Sequence, residues 1–422
     1  MQTRGLSGCG RPQNISMRIL IYSINYFPEL TGIGKYNAEM ADWLTGQGHE
    51  VRIVTAPPYY PEWRVADGYV AWHYSKEQRK KVSIWRCPIW VPARPSGLKR
   101  LVHLASFALS SMPIMVRQIF WRPNVILVVE PPLFCAPLAW LCAKLSGAKA
   151  WLHVQDFEID AAFDMGILRA PWLHRIVAIA ESLLMRRFNK VSTISDNMLE
   201  RLLIKGVEKE KTVLLPNWVD AREIFPLPKA SSYRAELGIE DDKCVALYSG
   251  NMGEKQGLEI LLEAARSLLA ESRLLFVLCG AGAARERLMQ MGAGLHNVRW
   301  MPLQPAEKLN ELLNLADVHL MPQRADAADF VMPSKLLGML ASGRPVLATA
   351  HPGTQLAKMV SSCGIVVEPG NAQEVARGLL ELLHAPQERE RLGVEARKSA
   401  QAWDKASVLQ GFEKQLLAMR NQ

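Results

Sequence analysis

The chain has 422 residues, 49% of them hydrophobic and 22% charged, an ordinary globular composition, long enough for two domains of roughly 200 residues each. A surplus of 50 Lys and Arg over 41 Asp and Glu gives a net charge of +9, which suits an anionic partner: nucleic acid, anionic lipid or a phosphorylated ligand. The sequence has no zinc-finger spacing or basic leucine zipper, which argues against nucleic acid, and no apolar run of about 18 residues, which excludes a spanning helix; its seven cysteines form no C-x-x-C pair, as in a reduced cytosolic protein without structural zinc.

Residues 1–16 are polar and glycine-rich and lack the apolar stretch of a signal peptide. They read as a disordered leader whose removal leaves activity intact. From Met17 the N-terminal half alternates short runs of Val, Ile and Leu with helical patterns. Strands are expected at Arg18–Ile24, Glu50–Thr55, Val82–Cys87, Val125–Val129, Ala150–Val154, Lys190–Ile194 and Val213–Leu215, with a first helix over Gly34–Gln47. Continuous apolar runs of this length suit parallel strands covered on both faces. Between Lys76 and Arg122 ten Lys and Arg are interleaved with Trp85, Trp90, Phe107, Phe120 and Trp121, and Leu98–Trp121 reads as an amphipathic surface helix or as an ordinary buried helix with solvated ends.

Pro226 and Pro228 mark residues 217–230 as a linker. The strand pattern then restarts at Cys244–Tyr248, Leu274–Leu278, Val298–Met301, Val318–Met321, Val346–Ala348 and Ile365–Val367. The expected architecture is therefore α/β: two Rossmann-like doubly wound domains, 17–216 and 231–400, facing a central cleft, with a last helix in 401–422 packing back toward the first domain.

Five segments carry candidate chemistry. Gly32 and Gly34, between the first strand and its helix, would let backbone amides approach an anion, or form a plain tight turn; Asn37 breaks a G-x-G-x-x-G fingerprint. His153 and Asp156 end a strand and would bind sugar hydroxyls or polarise a leaving group, or pair with each other at the surface. Gly250, Asn251, Gly253, Lys255, Gln256 and Gly257 join strand to helix and suit a diphosphate, through close backbone approach and a point charge. Gly280 and Gly282 would pack a base or ribose, or simply turn. In Met332-Pro333-Ser334-Lys335, Ser334 is a candidate N-cap for a short helix ending near Gly343, and the helix N-terminus together with Lys335 would hold an anion.

The stretches YFPELTGIGKYNAEMADWLTGQGHEVRIVT, LLPNWVDAREIFP and MLASGRPVLAT together resemble the family 4 retaining glycosyltransferases of the GT-B fold, and the likeness runs from Met17 to the C-terminus. It implies transfer of a sugar from a nucleotide-sugar with retention and without a metal, His153 at the donor sugar and the Gly32–Gly34 loop near the phosphates. Within the family the likeness is to bacterial exopolysaccharide enzymes of the colanic acid type. That implies GDP-fucose as the favoured donor with a UDP-sugar as the alternative, an undecaprenyl-diphosphate-linked acceptor, and a cytoplasmic protein held peripherally at an anionic membrane. The departures fall at the family's paired glutamates, whose positions match Phe330 and Gly338, and at its Arg and Lys phosphate pair, matched by Asn251 and Gln256. Lys255 and Lys335, with Arg324, are the cations that would take over the diphosphate. A sugar-nucleotide epimerase of the same fold, or a nucleotide-binding scaffold without activity, are the alternatives.

Overall fold

A computed structural model describes residues 16–29, 32–94, 96–160, 171–253, 256–324 and 334–420. The chain divides into two compact units: residues 1–194, 198–215 and 409–422 form one, residues 195–197 and 216–408 the other.

The first unit is built on an eight-stranded sheet: β1 (Arg18–Tyr22), β2 (Glu50–Thr55), β3 (Ser75–Arg79), β4 (Val82–Arg86), β5 (Val125–Glu130), β6 (Lys149–Val154), β7 (Lys190–Thr193) and β8 (Thr212–Leu214). Their spatial order is β3-β4-β2-β1-β5-β6-β7-β8. β1 pairs in parallel with β2 on one side and β5 on the other, so the order reverses at β1/β5. All six residues of β5 are buried. Burying each Val, Leu or Ile contributes about 1.5–3 kcal/mol, and that is what fixes the register of a strand covered on both faces.

β3 has no counterpart among the expected strands. Its sequence, Ser-Lys-Glu-Gln-Arg, shows no apolar alternation, and it pairs antiparallel with β4 alone at the sheet edge. A charged edge strand blunts edge-to-edge pairing. The single helix expected over Leu98–Trp121 is two, Gly97–Ser110 and Met112–Ile119, divided at Ser111 ahead of Pro113.

The last helix, Lys405–Arg420, buries Leu409, Phe412, Leu416 and Met419, spaced three and four apart on one face. Phe412 meets the Trp151 ring of β6 edge-on at 5.0 Å between centroids, and Glu413 accepts a hydrogen bond from His49 Nε2 at 3.1 Å. Residues 409–420 thus complete the first unit's core.

The second unit holds β9 (Cys244–Ser249), β10 (Leu274–Cys279), β11 (Val298–Met301), β12 (Val318–Met321), β13 (Val346–Thr349) and β14 (Gly364–Val367), ordered β11-β10-β9-β12-β13-β14 and parallel throughout. This is the doubly wound order, with its reversal at β9/β12, where loops leave the strand C-termini in opposite directions and open a crevice for a ligand. Residues 217–230 are tied into this unit: Phe225 N–H donates to Asn310 Oδ1 at 3.0 Å, Leu227 N–H to Asn314 Oδ1 at 2.9 Å, and Arg397 Nη1 to the Ile224 carbonyl at 2.7 Å. The six cysteines among the described residues are buried free thiols. No described helix is long and apolar enough to cross a membrane.

Candidate active site

The second unit gathers several of the expected site residues at its β9/β12 crevice. The turn after β9 packs onto the turn after β10. Gly250 N–H donates to the Cys279 carbonyl at 3.0 Å and Met252 N–H to the Ala281 carbonyl at 2.8 Å. Two glycines make this approach possible. A Cβ on Gly280, at φ +152°, would stand 1.9 Å from the Gly250 carbonyl oxygen, and one on Gly282, at φ +153°, 2.5 Å from that of Met252. The side-chain faces of Gly280 and Gly282 are therefore spent on packing one turn against the other. Gly257, at φ +61°, lies against Arg324, whose Cγ would be 2.8 Å from a Cβ there.

Tyr248 is wholly buried at the end of β9, and its hydroxyl donates to the Asn251 carbonyl at 2.5 Å. Lys335, in the first turn of the helix Ser334–Ala341, extends over the Tyr248 ring with Nζ 4.3 Å from the centroid. A Cβ on Gly250, at φ +145°, would be 3.5 Å from Lys335 Cδ and 3.6 Å from Nζ. Burial lowers the Lys335 pKa to about 8, and among the described residues no carboxylate lies within ion-pair distance of it. An ammonium beside a glycine turn, with no counter-ion among the described residues, can answer a ligand's negative charge. Gln256 adds a buried Oε1 with no hydrogen-bond partner among the described residues, on the side of Gly253 that a Cβ would occupy.

Ser334 is the first residue of its helix and exposed, not the cap expected; Lys255, Phe330 and the approach through Met332 and Pro333 lie outside the described residues. Leu336, Leu337, Met339, Leu340 and Ala341 are buried in the core, which leaves Ser334, Lys335 and Gly338 as the helix's accessible positions. A Cβ on Gly338 would come within 3.3 Å of Leu313 Cδ1, so the position matched to a family glutamate is crowded.

In the first unit, Gly32 has φ +58° at the start of the helix Gly32–Gly46. The space beside Gly34 is taken by Glu29, since a Cβ there would stand 2.8 Å from Glu29 Oε2. That carboxyl accepts N–H bonds from Tyr59 and Tyr60, both at 3.0 Å, and from Asn25 Nδ2 at 2.8 Å, while burial raises its pKa. Gly34 thus turns its side-chain face to the Glu29 carboxyl.

His153 is 2% exposed. Its Nδ1–H donates to Ser192 Oγ at 2.8 Å, Gln155 Nε2 lies 2.9 Å from Nε2, and burial draws its pKa down to about 4. The ring is neutral and engaged at both nitrogens. Asp156, half-buried, lies beyond the strand end, and the paired surface arrangement weighed from the sequence is not what forms: His153 turns inward to Ser192 and Gln155. Two carboxyls that the sequence did not single out lie nearby. Glu158 accepts the Leu133 N–H at 2.7 Å, and burial raises its pKa to about 7. Glu130, at the end of β5, is fully buried with neither oxygen hydrogen-bonded among the described residues, and burial pushes it well above the usual carboxylate range. The one trace of it in the sequence is an acid closing an apolar run before Pro131 and Pro132. No group of acids, histidines or cysteines able to hold a metal occurs among the described residues.

Two α/β units in tandem, one on a parallel sheet and one on a sheet parallel but for its edge strand, each reversing its strand order once, are the build of a GT-B glycosyltransferase. Residues 31–218 match the family model described as glycosyl transferase 4-like domain, and residues 230–399 that of glycosyl transferases group 1. The chain belongs to these two-domain glycosyltransferases. It is 42% identical over 407 residues to "Putative colanic acid biosynthesis glycosyl transferase WcaI" of Escherichia coli (strain K12), covering 94% of this chain and 98% of that protein. D-inositol 3-phosphate glycosyltransferase of Geodermatophilus obscurus is 29% identical over 211 residues, 47% of this chain and 45% of that one. Among solved structures, sucrose-phosphate synthase from Thermosynechococcus elongatus superposes with a TM-score of 0.73 at 17% identity, over 96% of this chain and all of that one. Anabaena HepE in complex with UDP gives 0.69 at 14%, over 95% and 100%.

Proposed function

We propose that this enzyme moves a sugar from a nucleoside diphosphate sugar to a lipid-linked oligosaccharide, with retention at the anomeric carbon, in assembly of a colanic acid-type exopolysaccharide. GDP-fucose is the favoured donor and a UDP-sugar the alternative. The acceptor is an undecaprenyl-diphosphate-linked glycan. The observation that carries the donor reading is Lys335: an ammonium at a helix N-terminus, beside the Gly250 turn, with no counter-ion among the described residues. In the hard step the bond from the anomeric carbon to the leaving phosphate breaks and negative charge grows on the diphosphate. A fixed cation and helix amides aimed at that charge stabilise the transition state more than the ground state. Support for colanic acid chemistry is the relationship to WcaI over nearly the whole of both chains, and for a nucleotide donor the likeness to a UDP-bound fold.

Peripheral contact with an anionic membrane belongs to the same reading. In the first unit, Leu98, Val102, Leu109, Met112, Val116 and Phe120 are exposed along the paired helices 97–119, Phe120 by 83%, and Lys99, Arg100, Arg117 and Arg122 lie among them. A second stripe, Trp172, Ile176, Ile179 and Leu183, is exposed at helical spacing. Exposed apolar stripes flanked by cations fit a lipid interface. One assay tests the core claim: nucleotide release from GDP- and UDP-sugars with and without the lipid-linked acceptor. Acceptor-dependent release of GDP from GDP-fucose is expected; release independent of acceptor, or none from any donor, overturns it.

A further inference from the structure

We infer that Tyr248 is a positioning residue for donor binding: its ring is the platform that holds the Lys335 ammonium over the Gly250 turn. This rests on the reading of Lys335 as the diphosphate cation and adds what keeps that cation in place.

A lysine side chain has four rotatable bonds, and an ammonium in water has no reason to remain at one point. Lys335 lacks the usual restraint, a carboxylate, among the described residues. A carboxylate would fix it but would also neutralise it, leaving little for a phosphate. An aromatic face restrains without cancelling: the ring quadrupole attracts a cation within about 6 Å of its centroid, and contributes most where water is excluded. Tyr248 supplies that face at 4.3 Å.

Tyr248 can do this because it is itself fixed twice. Its backbone is the fifth residue of β9, paired with Leu278 of β10, and its ring is wholly buried. Its hydroxyl donates to the Asn251 carbonyl, in the same turn that carries Gly250. Gly250 completes the arrangement from the other side. It has no Cβ, so the lysine chain reaches past it at van der Waals distance, with 3.5 Å between the vacant Cβ position and Lys335 Cδ. Ring, turn and lysine therefore move as one body, and the cation is placed before the donor arrives. Prepaying that immobilisation favours binding, because each rotamer-rich side chain ordered on association costs affinity.

The test is a double-mutant cycle on UDP and GDP affinity, measured by calorimetry on the full chain. Lys335→Ala is expected to weaken the nucleoside diphosphate by about tenfold or more. Tyr248→Leu, which removes the ring, is expected to weaken it by about three- to tenfold. Tyr248→Phe, which keeps the ring and loses only the hydroxyl, should stay within about twofold of the parent. Leu at 248 on top of Lys335→Ala should cost nothing further, since the ring acts only through the lysine. Wild-type affinity in Tyr248→Leu, or additive losses in the double variant, overturns the platform. Unchanged affinity in Lys335→Ala overturns instead the diphosphate reading beneath it. Circular dichroism checks folding, and Tyr248→Met, which fills more of the space, replaces the Leu variant with the same expected outcome if that one does not fold.

Discussion

Gly280 and Gly250 touch backbone to backbone: the carbonyl oxygen of one occupies the place where the other's side chain would begin, 1.9 Å from an ideal Cβ. Two strand-to-helix turns are thereby locked into a single surface. Gly280→Ala must either push the Gly250 turn away or abandon φ +152°. The expected cost is about 2–4 kcal/mol of unfolding free energy, read by urea titration, with Gly294→Ala (open space, but also at positive φ) reporting the backbone strain alone. Equal, small losses in both variants would show that the turns are not locked.

Lys335 carries a pH signature. Burial lowers its pKa to about 8 from an ordinary 10.5, so the folded chain holds the ammonium's proton less tightly than the unfolded chain does. Its cost to stability is present below about pH 8 and is relieved as pH rises toward 10.5, where the unfolded chain also loses the proton. Ligand affinity runs the opposite way. A diphosphate prefers the charged form, so UDP or GDP binding is expected to hold steady up to about pH 8 and then weaken by up to about tenfold per unit. Lys335→Arg keeps its charge throughout and should flatten that profile. A profile that breaks identically in both proteins would assign the titration elsewhere.

His153 makes the fold acid-sensitive. Its pKa is lowered to about 4 by burial, and the unfolded imidazole takes up a proton near 6.5. The unfolded chain thus binds more protons between those values, and stability falls as pH drops from 6.5 to 4, by about 3 kcal/mol for this residue. His319, lowered to about 3 by burial with the Arg344 charge adding to it, loads the same window. His153→Gln should reduce the slope of stability between pH 6.5 and 4; an unaltered slope would mean that the ring is already protonated in the fold.

Membrane contact has its own variants. Phe120→Ser combined with Trp172→Ser removes the most exposed aromatic from each stripe while leaving the charges in place. Flotation with anionic vesicles at low salt is expected to fall by about tenfold or more, and binding by the parent chain to fade as salt rises. Equal flotation of parent and double variant would count against both stripes.

Much of this molecule is legible in its sequence because apolar runs cannot be hidden. A strand buried on both faces announces itself, and β2, β11 and β12 occur at the expected residues. β3 is silent because an edge strand buries little and needs no pattern. The break at Ser111 is marked by Pro113 but was masked by an apolar face that continues through it. At the site, glycines signal that something comes close without saying what. Gly280 turns its side-chain face to a backbone and Gly34 to the Glu29 carboxyl, neighbours that the glycines themselves do not reveal. Lys335 was visible as a lysine at a helix start. Its relation to Tyr248 joins residues far apart in the chain and exists only once β9 and the helix Ser334–Ala341 are folded.

The seating of Phe412 on Trp151 reaches into how the protein is made. Phe412→Ala should cost the first unit about 3–5 kcal/mol and shift the emission of Trp151 to the red as water reaches the indole. More broadly, a ribosome delivers residues 17–215 long before residues 409–420, so the N-terminal unit leaves the exit tunnel before Phe412 can cover Trp151. It must wait while the second unit is synthesised, until residues 409–420 follow and pack onto it. A nascent or truncated chain is therefore the form most exposed to proteases and to chaperones.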